Sequence, residues 1–372
     1  MNGKVVILSS VHHWNDSRIF HKQAVSLARA GWSVELHALA EFEERQVEGI
    51  QVKGLPVPTR KWERLKGGRE LFRRALASGG DIFHIHDPEL LPWAVWIRRR
   101  TGKPVIYDAH EDLPRQIMTK PWIPHLLRPP LSRLAHVAEK GMARRLSAVV
   151  TVTEPIADSF APIKRVRLVK NYPLPIPIRE RREHVGPPRI LYVGGISYLR
   201  GYREMIAMMD HIPSELCAEL HLIGPLQHIR LEDREEAQLQ AKNIFLHGRI
   251  PFEQVQQWLL SGSVGLVCLH PVENYRESLP IKLFEYMATG LPVVATDFPL
   301  WREILQKSGA GVTVNPLDPV AMAREVTALL QDPDRCRRMG EQGQKAHRNV
   351  YNWGAEEKTL LRLYQELTQT RE

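Results

Sequence analysis

Two acidic residues stand eight positions apart in the segment ESLPIKLFE, residues 277–285. Glu277 opens the segment and Glu285 closes it. Ionised carboxylates are strong acceptors for the hydroxyl groups of sugars and riboses. If both side chains face one pocket, the pair predicts a site for a ligand rich in hydroxyl groups.

A helix start lies between the two glutamates. Leu279 and Pro280 predict a turn that opens a helix at Ile281, so that one glutamate lies before the helix and the other inside it. The exposed N–H groups at the start of a helix attract anions, and Lys282 in the first turn adds a compact positive charge. The segment therefore favours a ligand that combines sugar hydroxyls with a diphosphate.

A second candidate phosphate-binding element is the glycine-rich turn in ILYVGGISYLRGYREMI, residues 190–206. Gly194 and Gly195 follow an apolar strand and precede a helix. Glycine lets the backbone approach a phosphate closely and present its N–H groups. Arg200 adds positive charge, and Arg249 in the segment HGRIP is a further candidate.

In the first half of the chain, polar residues follow two apolar strands directly. FHIHDPELLPWAVWI contains Asp87, and PVIYDAHEDLP contains Asp108, His110 and Glu111. The carboxyl ends of parallel strands are where α/β proteins meet their ligands. These side chains are therefore candidate ligand contacts, together with Arg18 in the loop SVHHWNDSRIFHKQA.

Short apolar runs alternate with helix-like segments along the chain, which predicts an α/β fold with parallel sheets covered by helices. Residues 321–372 are helical by period, with a break around 351–354. We expect two Rossmann-like doubly wound domains facing a central cleft. Their expected bounds are 1–170 for the first domain, 171–188 for a proline-rich linker, 189–350 for the second domain and 351–372 for a final helix.

The net charge of +9 is unevenly distributed. Residues 1–182 carry 31 lysines and arginines against 18 acidic residues, whereas residues 183–372 carry 20 against 24. A basic half favours an anionic partner, either nucleic acid or an anionic membrane surface. We find no basic motif interleaved with aromatic residues, so nucleic acid is not expected.

The stretch 120–146 combines Trp122 and several leucines with lysines and arginines. It either lies in an anionic membrane interface or forms a domain helix with a solvated basic face. The apolar run after Lys4 is too short for a signal peptide or a membrane span. The three cysteines show no paired spacing that would indicate disulfides or zinc. We therefore expect a cytoplasmic protein, peripheral to the inner face of the membrane if the 120–146 contact forms.

The segment around the two glutamates also resembles a known family. The string E-x7-E, followed by a helix and A-x-G-x-P-V-V-A-T, looks like the nucleotide-sugar site of the family 4 retaining glycosyltransferases with the GT-B fold. The resemblance implies that Glu277 contacts the donor sugar, Glu285 the ribose, and that His110 lies by the donor sugar. Family members usually carry an arginine where this chain has Gly195, so the phosphate charge would fall to Arg200 and Lys282.

The resemblance further implies what the protein does. A sugar would pass with retention from a nucleoside diphosphate sugar, with a UDP-sugar as the expected donor, to a hydroxyl acceptor; a lipid-linked acceptor would fit the membrane contact. No metal ion or other cofactor is expected, since Arg200, Lys282 and the helix start would replace the cation, and the sequence is not expected to contain an Asp-x-Asp element that would hold one. In the family, the final helix crosses back to brace the first domain.

The expected site residues fall into three groups. The catalytic group is His110, Glu277, Arg200 and Lys282; the donor-binding group is Gly194, Gly195, Arg200, Arg249, Glu277, Leu279, Pro280, Ile281, Lys282 and Glu285; the acceptor-side group is Arg18, Asp87 and Glu111. Two alternatives stay open at this point, a sugar-nucleotide epimerase and a non-catalytic regulator that binds a nucleotide-sugar. The glycine at position 195 is the feature that keeps the regulator open.

Overall fold

The computed structural model describes residues 2–57, 63–110, 112–120, 123–161, 163–175 and 185–369. The chain divides into two compact units. Unit 1 is Met1–Asn171 with Trp353–Glu372, and unit 2 is Tyr172–Asn352. Each unit is a parallel or nearly parallel sheet with helices, so the predicted α/β class is confirmed.

Unit 1 is built on an eight-stranded sheet. Its strands are β1 (Lys4–His13), β2 (Ser33–Leu39), β3 (Glu44–Val47), β4 (Ile50–Leu55), β5 (Ile82–Ile85), β6 (Val105–Ala109), β7 (Ala148–Thr151) and β8 (Val166–Leu168). They lie in the order β3-β4-β2-β1-β5-β6-β7-β8. β3 pairs with β4 in antiparallel fashion, and the other neighbours are parallel.

Helical segments connect these strands. They are a π-helical segment (Ser17–Ala24), α1 (Val25–Arg29), α2 (Glu63–Ala77), a 3₁₀ turn (Pro88–Leu90), α3 (Leu91–Thr101), α4 (Leu113–Thr119), a 3₁₀ turn (His125–Leu127), α5 (Arg128–Ala143) and α6 (Glu154–Ser159). Both faces of the sheet are buried, since Val5 and Ile7 of β1 pack into one apolar cluster while Val6 and Leu8 pack into another. This burial explains why the first strand is a continuous apolar run.

Unit 2 is built on a six-stranded parallel sheet. Its strands are β9 (Arg189–Val193), β10 (Glu219–Ile223), β11 (Ile244–Gly248), β12 (Val264–Val267), β13 (Val293–Thr296) and β14 (Gly311–Val314), in the order β11-β10-β9-β12-β13-β14. Its helical segments are a 3₁₀ turn (Tyr198–Arg200), α7 (Tyr202–Met209), a 3₁₀ turn (Ser214–Leu216), α8 (Asp233–Ala241), α9 (Phe252–Ser261), α10 (Glu273–Arg276), α11 (Ile281–Thr289), α12 (Pro299–Ser308), α13 (Pro319–Leu330) and α14 (Pro333–Asn349).

The last helix, α15 (Trp353–Gln369), belongs to unit 1. Leu360, Leu363 and Tyr364 are fully buried in the cluster that also holds Val5 and Ile7. Trp353 donates from Nε1 to Ser26 Oγ at 2.9 Å. The helix thus completes the core of the unit that begins the chain. None of the described helices combines the length and the apolar character needed to cross a membrane.

In each unit the strand order reverses beside its first strand. β1 lies between β2 and β5, and β9 lies between β10 and β12. Such a reversal opens a crevice at the carboxyl ends of the strands, where ligands bind in doubly wound sheets. Asp87 follows β5 at the first reversal, and Gly194 follows β9 at the second. The folds therefore place the predicted site segments at the two positions where a ligand is expected.

Candidate functional site

The segment that carries the two glutamates forms a turn followed by a helix, as predicted. Pro280 is the N-cap of α11, and Gly290 ends it in a left-handed conformation with φ of 70°. The turn is anchored because Trp301 donates from Nε1 to the Ser278 carbonyl at 2.7 Å. Leu279, Pro280 and Ile281 are half-buried in this turn. α11 spans nine residues, so its first N–H groups form a full helix N-terminus.

Lys282 is the most unusual side chain of this helix. Its Nζ is buried and has no hydrogen-bond partner among the described residues. It lies 3.5 Å from the centroid of the Tyr192 ring, which is a cation–π contact. Burial holds the pKa of Lys282 well below its ordinary value, and the charge of Arg200 acts in the same direction. An anion that approaches this buried amine would favour its charged ammonium form.

The glycine-rich turn lies directly against that amine. A Cβ atom on Gly194, whose φ is 120°, would lie 3.2 Å from Lys282 Nζ. A Cβ atom on Gly224, the residue after β10, would lie 2.1 Å from the Gly194 carbonyl oxygen. Glycine at both positions therefore permits a close backbone crossing beside Lys282.

The position of Gly195 explains how the chain does without the arginine of the family pattern. A Cβ atom there would lie 2.7 Å from Gln227 Nε2 and 2.8 Å from Arg200 Nη1. Arg200 donates from Nη1 to the Gly195 carbonyl at 3.2 Å, and the Tyr192 hydroxyl donates to the same oxygen at 3.0 Å. The space that an arginine side chain would enter is thus occupied by Arg200 and by Gln227.

The structure places the two glutamates differently with respect to α11. Glu285 is half-buried within the helix, and its charge acts on Lys282 in the direction that favours the ammonium form. Glu277 is half-buried at the end of α10, before the turn. Arg249 is exposed and follows β11, the edge strand, so about two strand spacings, roughly 9–10 Å, separate its strand from β9. Its side chain makes no hydrogen bond or ion pair with the described residues.

In unit 1, Asp87 fixes the end of the first strand. Its Oδ2 accepts from the Ser10 amide at 2.6 Å, from the Ser9 hydroxyl at 2.9 Å and from the Val11 amide at 3.2 Å. Only 3% of Asp87 is exposed. The acceptor-side role expected for this residue is therefore not supported, since its carboxylate is committed to holding the loop.

Arg18 requires the same correction. Its guanidinium donates to both oxygens of Asp108 and, from Nη1, to the Val169 carbonyl at 3.0 Å. Gln23 also donates to Asp108 Oδ2 at 2.6 Å. Because Arg18 is only 3% exposed, it lies in the interior and holds Asp108 instead of meeting an acceptor directly. Glu111, the remaining acceptor-side candidate, lies outside the described residues.

His110 lies at the end of β6 with part of its surface exposed. Its Nδ1 is 3.3 Å from the Asp108 carbonyl oxygen and 3.7 Å from Asp108 Oδ1. A bond to a carbonyl oxygen requires a proton on Nδ1, which leaves Nε2 as an acceptor in the neutral ring. The His12 ring packs beside it, with ring centroids 5.1 Å apart. In that tautomer, Nε2 of His110 can accept a hydrogen bond.

Sequence reasoning missed one buried cluster in this unit. Ligand atoms of His84, His86 and Asp108 lie within 4.8 Å of one another. Burial lowers the pKa of His84 to about 4 and holds the pKa of His86 well below its ordinary value, so both rings are neutral. However, Arg18 and Gln23 already donate to Asp108 Oδ2, the carboxylate oxygen nearest both rings. The cluster therefore reads as a buried polar network and not as a metal site.

One Asp-x-Asp spelling does occur in the chain, at Asp332 and Asp334. Asp332 caps α14 by accepting from the Arg335 amide at 2.8 Å, and Asp334 pairs with Arg337 on the same helix. Both carboxylates serve the helix, and neither contacts the residues around Lys282.

Comparison with known proteins assigns the chain to a family. Residues 187–332 match the model described as glycosyl transferases group 1, and residues 17–172 match the glycosyl transferase 4-like domain. The chain belongs to this family, which confirms the resemblance drawn from the glutamate segment. It is therefore a glycosyltransferase of glycan or glycolipid biosynthesis.

Particular relatives agree with this assignment. The chain is 25% identical over 291 residues to D-rhamnosyltransferase WbpZ of Pseudomonas aeruginosa, covering 75% of this chain and 71% of the relative. It is 24% identical over 305 residues to phosphatidyl-myo-inositol mannosyltransferase of Mycobacterium leprae, covering 79% and 75%.

Solved structures share the fold along the whole chain. Sucrose-phosphate synthase of Thermosynechococcus elongatus superposes with a TM-score of 0.74 at 20% identity, covering 99% of each chain. HepE of Anabaena, solved in complex with UDP-glucose, gives a TM-score of 0.71 at 12% identity and covers 98% of this chain and 100% of that chain. The GT-B fold that the resemblance implies is thereby confirmed.

Proposed function

We propose that this glycosyltransferase moves a sugar, with retention and without a metal ion, from a nucleoside diphosphate sugar to a hydroxyl acceptor. The observation that carries the proposal is the buried Nζ of Lys282, which lies beside the Gly194 turn and has no hydrogen-bond partner among the described residues. A UDP-sugar is the proposed donor, because the fold neighbour HepE was solved with UDP-glucose.

The charges around Lys282 suit a diphosphate. Three groups that favour an anion lie close to the glycine turn: the Lys282 amine, the Arg200 guanidinium and the N-terminus of α11. Breaking the bond between C1 of the sugar and the diphosphate oxygen leaves the electron pair, and so the new negative charge, on that oxygen. Arg200 and the helix N-terminus are already positive and stabilise that charge without reorganisation, and the approaching diphosphate favours the ammonium form of Lys282. These groups would do the work that a divalent cation does in other transferases.

The proposed chemistry forms one bond and breaks one. The acceptor oxygen bonds to C1 on the face from which the diphosphate leaves, and the acceptor proton passes to the departing phosphate oxygen. No nucleophilic carboxylate is required, in contrast to retaining hydrolases. Glu277 and Glu285 would accept hydrogen bonds from the donor sugar and the ribose, and Nε2 of His110 would accept one from a sugar hydroxyl.

Titration calorimetry with UDP and UDP-glucose tests the donor site. Lys282→Ala should weaken UDP binding at least about tenfold, since one charge-assisted contact is lost. Lys307→Ala is the matched control, because Lys307 is exposed and its one ion pair within the described residues is with Glu303 on its own helix. Equal affinities in the wild type and Lys282→Ala would overturn the donor site.

Two further measurements address the chemistry. Turnover should persist when EDTA is present, and a requirement for added divalent ions would contradict the metal-independent proposal. Nuclear magnetic resonance of the product should show the same anomeric configuration as the donor. An inverted product would exclude transfer with retention.

We further propose that the protein rests on the cytoplasmic face of an anionic membrane through α5 and the turn before it, where a lipid-linked acceptor would be reached. Leu126, Leu134 and Val137 are exposed by 91%, 65% and 68%. Leu127 and Leu131, spaced with Leu134 on one helical face, are also exposed. Trp122, which the sequence analysis includes in this stretch, lies outside the described residues.

Charge supports the same partner. The apolar face of α5 is flanked by Arg128, Arg133 and Lys140. Apolar side chains that enter the interface and basic ones that remain at the headgroups are the two features of an interfacial helix. A domain helix whose outer face meets only water is expected to carry polar residues at these positions instead of leucines.

A further inference from the structure

A cavity of about 630 Å³ lies in unit 1. It is at the edge of the sheet opposite to the carboxyl ends of the strands, where Asp87 and His110 lie. Pro104, just before β6, and Ser147, just before β7, form part of its wall, so it opens at the amino ends of these strands. Leu146, which is almost fully buried, contributes an apolar wall. Neither the family motifs nor the proposed reaction uses this cavity.

The cavity is strongly basic. Four of its lining residues are cationic: Arg98, Arg144, Lys164 and Arg165. None of the described residues that line it is acidic. α3 and α5 both end beside the cavity, and each helix end contributes about half a negative charge. Arg98, Arg144 and Lys164 alone carry three full positive charges, which exceed these two partial negative ones, so the local field remains positive.

The cationic side chains differ in their hydrogen bonds. Arg98 donates from Nη1 to Ser147 Oγ at 2.9 Å, and the Val105 amide donates to the same oxygen at 3.0 Å. By contrast, the side chains of Arg144 and Lys164 make no hydrogen bond or ion pair with the described part of the chain. Their charges are therefore available to a ligand.

We propose that this cavity is a binding site for a phosphorylated ligand. Guanidinium groups match phosphate oxygens in geometry, and Lys164 adds a compact charge. The volume is that of a small-molecule pocket and exceeds the needs of one isolated phosphate. The ligand is either a soluble phosphate compound or the phosphate of a lipid headgroup. The headgroup source would fit the position of Arg144, which follows α5 about 10 Å beyond Val137 along the helix.

Calorimetry with inorganic pyrophosphate tests the site in the full chain. Because pyrophosphate also suits the proposed donor site, the titration is made on Lys282→Ala as well as on the wild type. The cavity should still bind pyrophosphate in Lys282→Ala. Adding R144E and K164E should weaken that binding at least about tenfold. If Lys282→Ala loses one binding event but keeps a second that R144E and K164E weaken, only the donor site is affected and the cavity proposal stands. If Lys282→Ala binds as the wild type does, the donor site fails and the cavity proposal is untouched, so the two proposals fail separately.

The matched control is the pair R99E and R100E. Arg99 and Arg100 are exposed in the last turn of α3 but do not line the cavity, so this variant has the same change of net charge. If pyrophosphate binding weakens equally in R144E/K164E and R99E/R100E, only the general positive charge matters and the proposed site is wrong. The proposed site is also wrong if Lys282→Ala shows no pyrophosphate binding at all. Unchanged thermal unfolding midpoints would show that the variants fold.

Vesicles then identify the source of the phosphate. Sedimentation with phosphatidylglycerol vesicles, compared with phosphatidylcholine vesicles, is measured for the same variants. A loss in R144E/K164E that exceeds the loss in R99E/R100E assigns the site to a lipid headgroup. Equal vesicle binding, together with the specific loss of pyrophosphate binding, assigns it to a soluble phosphate compound.

Discussion

The guanidinium group of Arg18 donates to both carboxylate oxygens of Asp108, with Nε 3.0 Å from Oδ2 and Nη2 3.1 Å from Oδ1. The pair joins the π-helical segment after β1 to the end of β6, across 90 positions of sequence. Burial alone would raise the pKa of Asp108, but Arg18 and the neighbouring histidines hold it well below its ordinary value. The Asp108 carboxylate is therefore ionised, and its charge depends on Arg18.

Arg18→Gln should destabilise the protein by about 3–5 kcal/mol, because it leaves a buried carboxylate without its counter-charge. The free energy of unfolding, from urea titration, measures this. Arg302→Gln is the control, since Arg302 also makes a two-pronged pair, with Asp297, but on the surface. Exposed pairs add little to stability, so the control should be nearly unchanged. Similar losses in the two variants would contradict the structural role assigned to Arg18.

Gly195→Arg should weaken nucleotide binding, even though it creates the arginine of the family pattern. Its Cβ would collide with Gln227 and Arg200, and the guanidinium that contacts the Gly195 carbonyl would be displaced. UDP affinity by calorimetry should fall about tenfold or more. Combining the change with Gln227→Ala should recover part of the loss.

Gly67→Arg is the control for that experiment, because no atom of the described residues, apart from its chain neighbours and its own helix backbone, lies within 4 Å of the Cβ position at Gly67. It adds the same side chain without a collision and should bind UDP as the wild type does. Tighter UDP binding by Gly195→Arg would show that the space beside the glycine turn is open.

Glu139 should make stability fall as the pH rises towards neutrality. It is buried on α5 and accepts from the Tyr107 hydroxyl at 2.7 Å. Burial raises the pKa of Glu139 to about 7, against 4.5 for an exposed glutamate. The folded protein therefore keeps a proton that the unfolded chain releases, and the stabilisation present below pH 4.5 is lost between about 4.5 and 7.

Glu139→Gln removes this titration. The free energy of unfolding of the wild type relative to the variant should fall by up to roughly 3 kcal/mol between pH 4.5 and pH 8. Urea titrations of both proteins at several pH values measure this difference. Parallel curves for the two proteins would mean that Glu139 does not hold its proton in the folded state.

Proline and glycine residues at helix ends explain which elements could be predicted. α11 begins at Ile281 as predicted, since Pro280 precedes it, and Gly290 follows its last residue. In contrast, the helical periodicity from residue 321 onward did not indicate that one helix ends and α14 begins. There the Asp332 cap and Pro333 start a new helix, a signal that was present in the sequence but weaker than the period.

Site residues that depend on distant contacts were harder to predict. The Lys282 amine was expected, but its contact with Tyr192 joins a helix to a strand 90 positions earlier. Likewise, Gln227 reaches Gly195 only because the turns after β9 and β10 cross. Arg18 and Asp87 lie near strand ends as expected, yet their burial reverses the role inferred for them. Spacing in sequence gives the edge of the sheet on which a residue lies but not the partners that occupy its polar atoms.

Replacing exposed apolar residues of α5 should release the protein from anionic vesicles. Leu134→Asp with Val137→Asp removes two side chains that would enter the interface and adds negative charge, so sedimentation with phosphatidylglycerol vesicles should fall at least about tenfold. Leu317→Asp with Val320→Asp is the matched control, because those residues are similarly exposed but lie in unit 2. High salt should weaken wild-type binding only in part, since the apolar contribution is not screened. If both double variants sediment like the wild type, α5 does not contact the membrane, and its exposed leucines require another partner.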